Sequence, residues 1–296
     1  MLNFQAITMD KRSELHPLLY AAGRQDCVST FANMLLWMGG YAEYAILDGF
    51  VCVRIRGDHE EFFYFPAGVG DPAVAIERLR QDAAERNIPF RLGGVTEENR
   101  AFLETAFPGK FSFTTNRDHF DHLYPVEQLA ELAGKKLQAK RNHINRFVAE
   151  HPDWRTEPIS EQNLALCRSC AHRWLAKHGD KDAAREFGIL EQAMDCMREL
   201  ELEGLLLLDG NEPLAFSMGN RITEKVFDVN FEKADADVQG SFALINREMA
   251  RMVRDRYPQV ELLNREEDMG VPGLRKAKES YRPILLEKSR ALWVEA

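Results

Sequence analysis

The sequence predicts a mixed α/β protein built from two tandem domains, residues 1–125 and 126–296. Two observations carry this expectation. One order of elements (helix, helix, hairpin, strand, loop, helix, strand, helix, strand) is written twice along the chain. Each copy also holds its own hairpin signal, Asp48-Gly49 in the first and Asp209-Gly210-Asn211 in the second. An antiparallel hairpin followed by strand–helix–strand crossovers buries its apolar face as an α/β layer.

In the first copy, 10–22 and 27–38 have helical periodicity and 42–56 is rich in β-formers around the Asp48-Gly49 turn. The run 61–66 (EFFYFP) reads as a strand that ends in the loop 67–72 (AGVGDP), where Pro72 suits the first turn of a helix to about 87. A short strand at 89–92, a helix at 96–107 capped by Thr96, and a strand at 111–115 complete the pass. The second copy starts with helices at 160–177 and 183–203. Strands at 205–208, 213–218 and 226–231, a polar loop at 234–240 and a helix from Ser241 to about 257 come next. A strand at 260–263, a helix at 272–281 and a final strand at 284–286 close it. Between the copies, 126–150 is a long helical pattern interrupted at Gly134. This order of elements is the one used by GNAT-type acyltransferases.

Composition excludes several classes. The chain has 296 residues, 45% hydrophobic and 29% charged, so either half can bury a core. A formal net charge of −9 disfavours indiscriminate binding to polyanions. No apolar run approaches the roughly 18–20 residues of a membrane span, and the N-terminus lacks a secretory pattern, so a cytoplasmic protein is expected. Five scattered cysteines read as reduced thiols; Cys167 and Cys170 form a C-x-x-C with His172 and His178 nearby, but no second pair completes a zinc set, and no metal is expected.

Three segments can carry chemistry. The loop Asp237-Val238-Gln239-Gly240-Ser241-Phe242-Ala243 enters a helix N-terminus, which can hold a phosphate. Asp237 stands where a cation suits a coenzyme A pyrophosphate, and Phe242 crowds the close approach, so coenzyme A is disfavoured. The segment 134–147 (GKKLQAKRNHINRF) holds five Lys/Arg and no acid between 135 and 146. Lys136, Lys140 and His143 share a helix face that suits phosphate contact or solvation, with Leu137, Ile144 and Phe147 turned inward. Asn142 and Asn145, weak helix formers with directed hydrogen bonds, favour contact. The run Asn264-Arg265-Glu266-Glu267-Asp268 leaves a strand end toward a helix bearing Arg275, Lys276 and Lys278. It reads either as a carboxylate poised to accept a proton or as a charged turn capped by Asp268. Glu232 and Lys233 end the central strand, an expensive place for charge if buried.

At these segments the chain resembles the C-terminal domain of phosphatidylglycerol lysyltransferases and their stand-alone soluble relatives. The matching residues are Leu132, Gly134-Lys135-Lys136, Lys140-Arg141-Asn142-His143-Ile144-Asn145-Arg146-Phe147, Glu232-Lys233-Ala234, Gly240, Asn264 to Asp268, Gly270, Leu274-Arg275, Lys276, Lys278, Ser280-Tyr281 and Pro283. The resemblance implies two GNAT-like domains akin to Fem-type aminoacyltransferases. It further implies transfer of an aminoacyl group from charged tRNA to an acceptor hydroxyl or amine, with no cofactor. The multi-span membrane module of the lysyltransferases has no counterpart here, so the acceptor is either a lipid head group met peripherally or a soluble molecule, and no DNA partner is expected. The roles it implies are donor contact by Lys136, Lys140, Arg141 and Asn142. Arg265, Arg275 and Lys278 would steady a carbonyl or phosphate, with Lys233, Asn264 and Tyr281 lining the site. Glu232 with Glu267 or Asp268 would receive the acceptor's proton. An acyl-CoA-dependent N-acyltransferase and a non-catalytic module for a nucleotide, RNA end or peptide remain the alternatives.

Overall fold

A computed structural model describes residues 1–57, 60–179 and 181–294. The chain forms two compact units. One comprises residues 1–122, 266–275 and 284–296, and the other 123–265 and 276–283. The first chain crossing lies three residues before the expected boundary at 125, but the C-terminal residues do not stay with the second half.

The elements follow in chain order. They begin with β1 (Gln5–Ala6), α1 (Arg12–Ala21), α2 (Phe31–Leu36), β2 (Ala42–Leu47), β3 (Phe50–Arg56), β4 (Glu61–Tyr64), α3 (Ala73–Glu85), β5 (Arg91–Val95), α4 (Glu97–Ala106) and β6 (Phe111–Thr115). Next come β7 (Asp121–Pro125), α5 (Val126–Glu131), α6 (Gln138–Glu150), β8 (Trp154–Pro158), α7 (Leu164–His178), α8 (Lys181–Asp195), β9 (Glu203–Asp209), β10 (Glu212–Arg221), β11 (Val226–Ala234), α9 (Ser241–Arg256) and β12 (Leu262–Asn264). The last are α10 (Pro272–Glu279), β13 (Ile284–Leu286) and β14 (Ser289–Trp293).

In the first unit the strands run β1-β2-β3-β4-β5-β14-β6. Asp48 and Gly49 both take positive φ, 52° and 84°, as the tight turn between β2 and β3 requires. Thr96 and Asn99 form a reciprocal capping box that starts α4. Strands β1, β7, β8 and β14 were not in the expected pattern, and one helix of the second copy is shorter than expected. The sheet takes in β14, a strand from the far C-terminus, inserted antiparallel between β5 and β6. The second-copy helix expected over 183–203 stops at Asp195, and turns carry the chain to β9.

In the second unit the strands run β7-β12-β11-β10-β9-β8. Helices α5, α6 and α9 cover a core that includes Leu129, Phe147, Leu244, Met249 and Phe227. The break expected at Gly134 is real: Leu132 ends α5 in the left-handed region, and a short turn at Lys135–Leu137 leads into α6. Two irregularities shape the central strands. A bulge lies between Met218 and Asn220 on β10, around Gly219, where a Cβ would stand 1.9 Å from the Asp228 carbonyl oxygen. The parallel pairing of β11 with β12 covers only Val226–Asp228; β12 ends at Asn264 while β11 continues to Ala234. Two parallel strands that pair for three residues and then part leave a wedge between their C-terminal ends, where open α/β sheets place ligands.

Candidate functional site

At the mouth of that wedge the second unit gathers charge that is almost entirely out of water. Arg265 follows β12 directly, and one guanidinium nitrogen donates to Glu232 Oε1 of β11 at 2.7 Å. Both side chains are buried, 7% and 6% exposed. Tyr281, Tyr124 and Phe242 surround the guanidinium with ring centroids 5.3, 5.7 and 6.0 Å from its carbon. The other Glu232 oxygen accepts from Asn246 Nδ2 of α9 at 3.2 Å and lies 3.5 Å from Ser217 Oγ. Arg265 Nη1 is buried and has no hydrogen-bond partner among the described residues. A buried, unused donor on a fixed cation is costly, and an anion placed there relieves the cost.

A second cation shares the aromatic wall. Lys140 Nζ lies 4.0 Å above the Tyr281 ring. Burial lowers its pKa from the ordinary lysine value, and the Arg265 charge lowers it further. Burial likewise pushes the Tyr124 and Tyr281 phenols up, so both stay protonated at neutral pH. Two cations against one carboxylate make this corner positive within a chain of net charge −9.

The other expected residues of this unit lie in varied places. Lys136 and Asn142 are exposed. Arg141 is tied to the Leu132 and Gly134 carbonyls, closing the turn between α5 and α6. Lys278 is buried, and its carbonyl accepts the Tyr124 hydroxyl at 2.8 Å. Asn264 is fully buried on β12. Lys233 sits over the Trp174 ring at 3.7 Å and pairs with Glu186, held by α7 and α8. At the entrance to α9, Gly240 has φ 95°, and a Cβ there would stand 2.5 Å from the His143 carbonyl oxygen. Gly240→Ala is therefore expected to cost about 1–3 kcal/mol from backbone strain and displacement of α6; urea unfolding of the variant measures it. Asp237 pairs with Lys177 at 2.7 Å, so the loop presents a bound acid and the half-exposed Phe242 at the helix N-terminus.

Glu267, Asp268 and Arg275 belong to the first unit. Asp268, with no exposed side-chain surface, accepts from Arg275 at 2.6 and 2.9 Å and from Arg117 at 3.1 Å. Burial, the largest single influence, raises its pKa, but the hydrogen bonds from Arg275 and Gly270 N–H together with the Arg275 and Arg117 charges hold the carboxyl below its usual range. Glu267 is placed similarly: burial is overcome by Lys288 and His119, at 2.6 and 3.0 Å, and its pKa is also lowered. The run of three acids thus splits three ways, with Glu266 bonded to Asn33 at 2.8 Å. Carboxylates held ionised in tight ion pairs are weak proton acceptors.

Lys288 escaped the sequence reading. It is buried between Asp121 and Glu267, 2.6 Å from each. Cys27 Sγ lies 3.3 Å from Asp121 Oδ1, and the Cys27, Asp121 and Glu267 donor atoms lie within 4.8 Å of one another. They are close enough to share an ion, yet the Lys288 ammonium already supplies their cation. The only available signal was a lysine lodged between two strand-forming apolar runs, 284–286 and 291–294. The Cys167 and Cys170 thiols are buried in α7 and pushed up to about 12 and about 11 by burial, so they are protonated core residues. The His178 side chain lies outside the described residues.

Among the described residues no helix is long and apolar enough to cross a membrane. The family model described as phosphatidylglycerol lysyltransferase, C-terminal, matches residues 21–292. The crystal structure of a conserved protein of unknown function from Bacteroides thetaiotaomicron VPI-5482 is 33% identical. It superposes with a TM-score of 0.92 over 99% of this chain and 100% of that one. The structure of L-PGS from Bacillus licheniformis is 14% identical, with a TM-score of 0.72 over 99% of this chain and 94% of that chain. FemX is 10% identical, with a TM-score of 0.64 over 99% and 98%. An uncharacterized protein of Mycoplasmoides gallisepticum is 26% identical over 172 residues, 56% of this chain and 53% of that protein, so the chain spans about half of that relative. With residues 21–292 matched, nearly its whole length, the chain belongs to the phosphatidylglycerol lysyltransferase C-terminal family.

Proposed function

We propose that the protein transfers an aminoacyl group from an aminoacyl-tRNA to an acceptor amine or hydroxyl, using the wedge site of the second unit and no cofactor. The observation that supports this reading most is the buried Arg265 with Nη1 unpartnered, next to Lys140 on the same aromatic wall. This corner suits an anionic or strongly polarised oxygen, either a phosphate of the donor's 3′ end or the oxyanion that forms at the ester carbonyl. Glu232, bonded to Arg265 and Asn246, holds the guanidinium in place and is a positioning residue, since an ion-paired carboxylate is a weak proton acceptor. Glu267, Asp268 and Arg275 brace the loop that follows Arg265 and are positioning residues in this scheme. The exposed Lys136, in the turn before α6, and Asn142, on α6, add contacts to the donor's phosphates. The paired Asp237 and the Phe242 ring at the α9 entrance weigh against a coenzyme A donor.

Phosphate contacts release counterions, so charged tRNA should bind with a steep salt dependence. Lys140→Ala is expected to weaken binding and to flatten the log–log salt slope by about one unit, read by filter binding at several salt concentrations. An unchanged slope removes Lys140 from the donor site. Tight coenzyme A binding with no tRNA binding favours the acyl-CoA reading instead.

A further inference from the structure

Lys140 is placed unlike the surface lysines that carry a partner. Lys177 and Lys225 are hydrogen-bonded to Asp235 and Glu261 at 2.6 and 2.8 Å, which raises their pKa values. Lys140, on α6, has no carboxylate beside it among the described residues. Its Nζ stands 4.0 Å from the centroid of the Tyr281 ring, and the side chain is half-buried. The charged and titratable groups at this wall are Arg265, which is paired with Glu232, and the phenols of Tyr281 and Tyr124. Lys136 and His143, its neighbours along the chain, are exposed. Burial lowers the Lys140 pKa and the Arg265 charge lowers it further, so it keeps more free amine near neutral pH than a carboxylate-paired lysine does.

An unused donor lies on the same wall. The Arg265 guanidinium carbon is 5.3 Å from the centroid of the same Tyr281 ring, and the buried Nη1 has no hydrogen-bond partner among the described residues. Glu232 is occupied by Arg265 Nη2 and by Asn246. A free amine near a fixed guanidinium with a donor to spare suits a molecule that carries an electrophilic carbonyl and an anion side by side. An acyl phosphate has that composition, whereas a thioester has no charge next to its carbonyl.

We infer that Lys140 Nζ is a modification site that takes the acyl group of an acyl phosphate. The Nζ lone pair forms the C–N bond, and the bond from the acyl carbon to the bridging oxygen breaks. The electron pair leaves with phosphate, which accepts the proton that nitrogen gives up. The products are an amide-linked acyl-lysine and inorganic phosphate, and no oxidant or cofactor enters the balance. Arg265 holds the phosphate group and steadies the charge that develops on it. The amide is neutral, so the modification takes a positive charge from the wedge. Its effect on donor binding rests on the function proposed above; the acylation itself does not.

The test incubates the full chain with acetyl phosphate and follows each lysine by mass spectrometry of peptides cut at acidic residues. Lys140 is expected to acetylate on the order of tenfold faster than the exposed Lys135 and Lys136, because the reagent is held beside a free amine. Inorganic phosphate should slow the reaction at Lys140 and leave Lys135 and Lys136 unchanged. Equal rates at Lys140 and Lys136, or a Lys140 rate indifferent to inorganic phosphate, overturns the inference. The acetylated protein is then compared with the parent for binding of charged tRNA. Weakened binding with a flatter salt slope supports both the modification and the donor site, while unchanged binding leaves the acylation standing and removes Lys140 from that site.

Discussion

Replacing Lys288 with methionine is expected to destabilise the protein by about 3–5 kcal/mol at neutral pH, the range for removing one partner from a buried ion pair. The ammonium lies 2.6 Å from both Asp121 and Glu267, and its pKa sits well above the ordinary lysine value; burial opposes the charge, but Asp121 and its neighbours overcome it. Without it the two buried carboxylates lose the cation they share, and Glu267 keeps its half-exposed His119 contact. The pH dependence gives the distinguishing signature. In the parent the Glu267 pKa lies below 4.5, so its stabilisation is present above that value and is lost as pH falls through the lower, folded-state value. In Lys288→Met the sign reverses at Glu267, because burial, the largest influence on it, is then less opposed and raises its pKa. The deficit should be largest near pH 7 and shrink toward about pH 5 as a carboxyl takes up a proton. Urea unfolding of parent and variant at the two pH values reads both effects. A deficit independent of pH would mean that lost packing, and not uncompensated charge, is responsible.

Arg265→Met is the second large change. It strands Glu232 in a buried site with Asn246 and Ser217 as its remaining partners, and a loss of about 3–5 kcal/mol is expected. Glu232→Gln alone leaves the guanidinium among its aromatic rings and should cost less. The double variant Glu232→Gln/Arg265→Met should recover part of the single-variant loss, since no charge is left uncompensated. Denaturation of the three variants gives the coupling energy. If the two single losses simply add, the pair contributes no specific interaction. Activity should separate from stability here: the double variant regains fold and not donor binding, because the cation is gone.

Much of the architecture was legible because short-range rules govern it. Asp48-Gly49 and Asp209-Gly210 mark their hairpins, Thr96 caps α4, and the apolar spacing of Ile144 and Phe147, with Leu137 in the turn before them, gives the buried side of α6. The strand β14 was not legible. Its five residues, SRALW, become a strand only because β5 and β6 leave room between them, a long-range fact that no local pattern records. In the site, Arg265, Glu232, Lys140 and Tyr281 stand out in sequence as charge and aromatic residues at strand ends and on a basic helix, and they come together in space. The acids after Arg265 were legible as charge and not as chemistry. Their protonation behaviour is decided by Lys288, His119, Arg117 and Arg275, most of them distant in sequence.

The most direct measurement is a single-turnover assay with tRNA carrying a radiolabelled aminoacyl ester, presented with a panel of amine and hydroxyl acceptors and run beside labelled acetyl-CoA. The parent protein is expected to move the label from tRNA to an acceptor. Lys140→Ala should slow that step, and acetyl-CoA should not serve as donor. Label moving from acetyl-CoA while the tRNA ester stays intact would contradict the account.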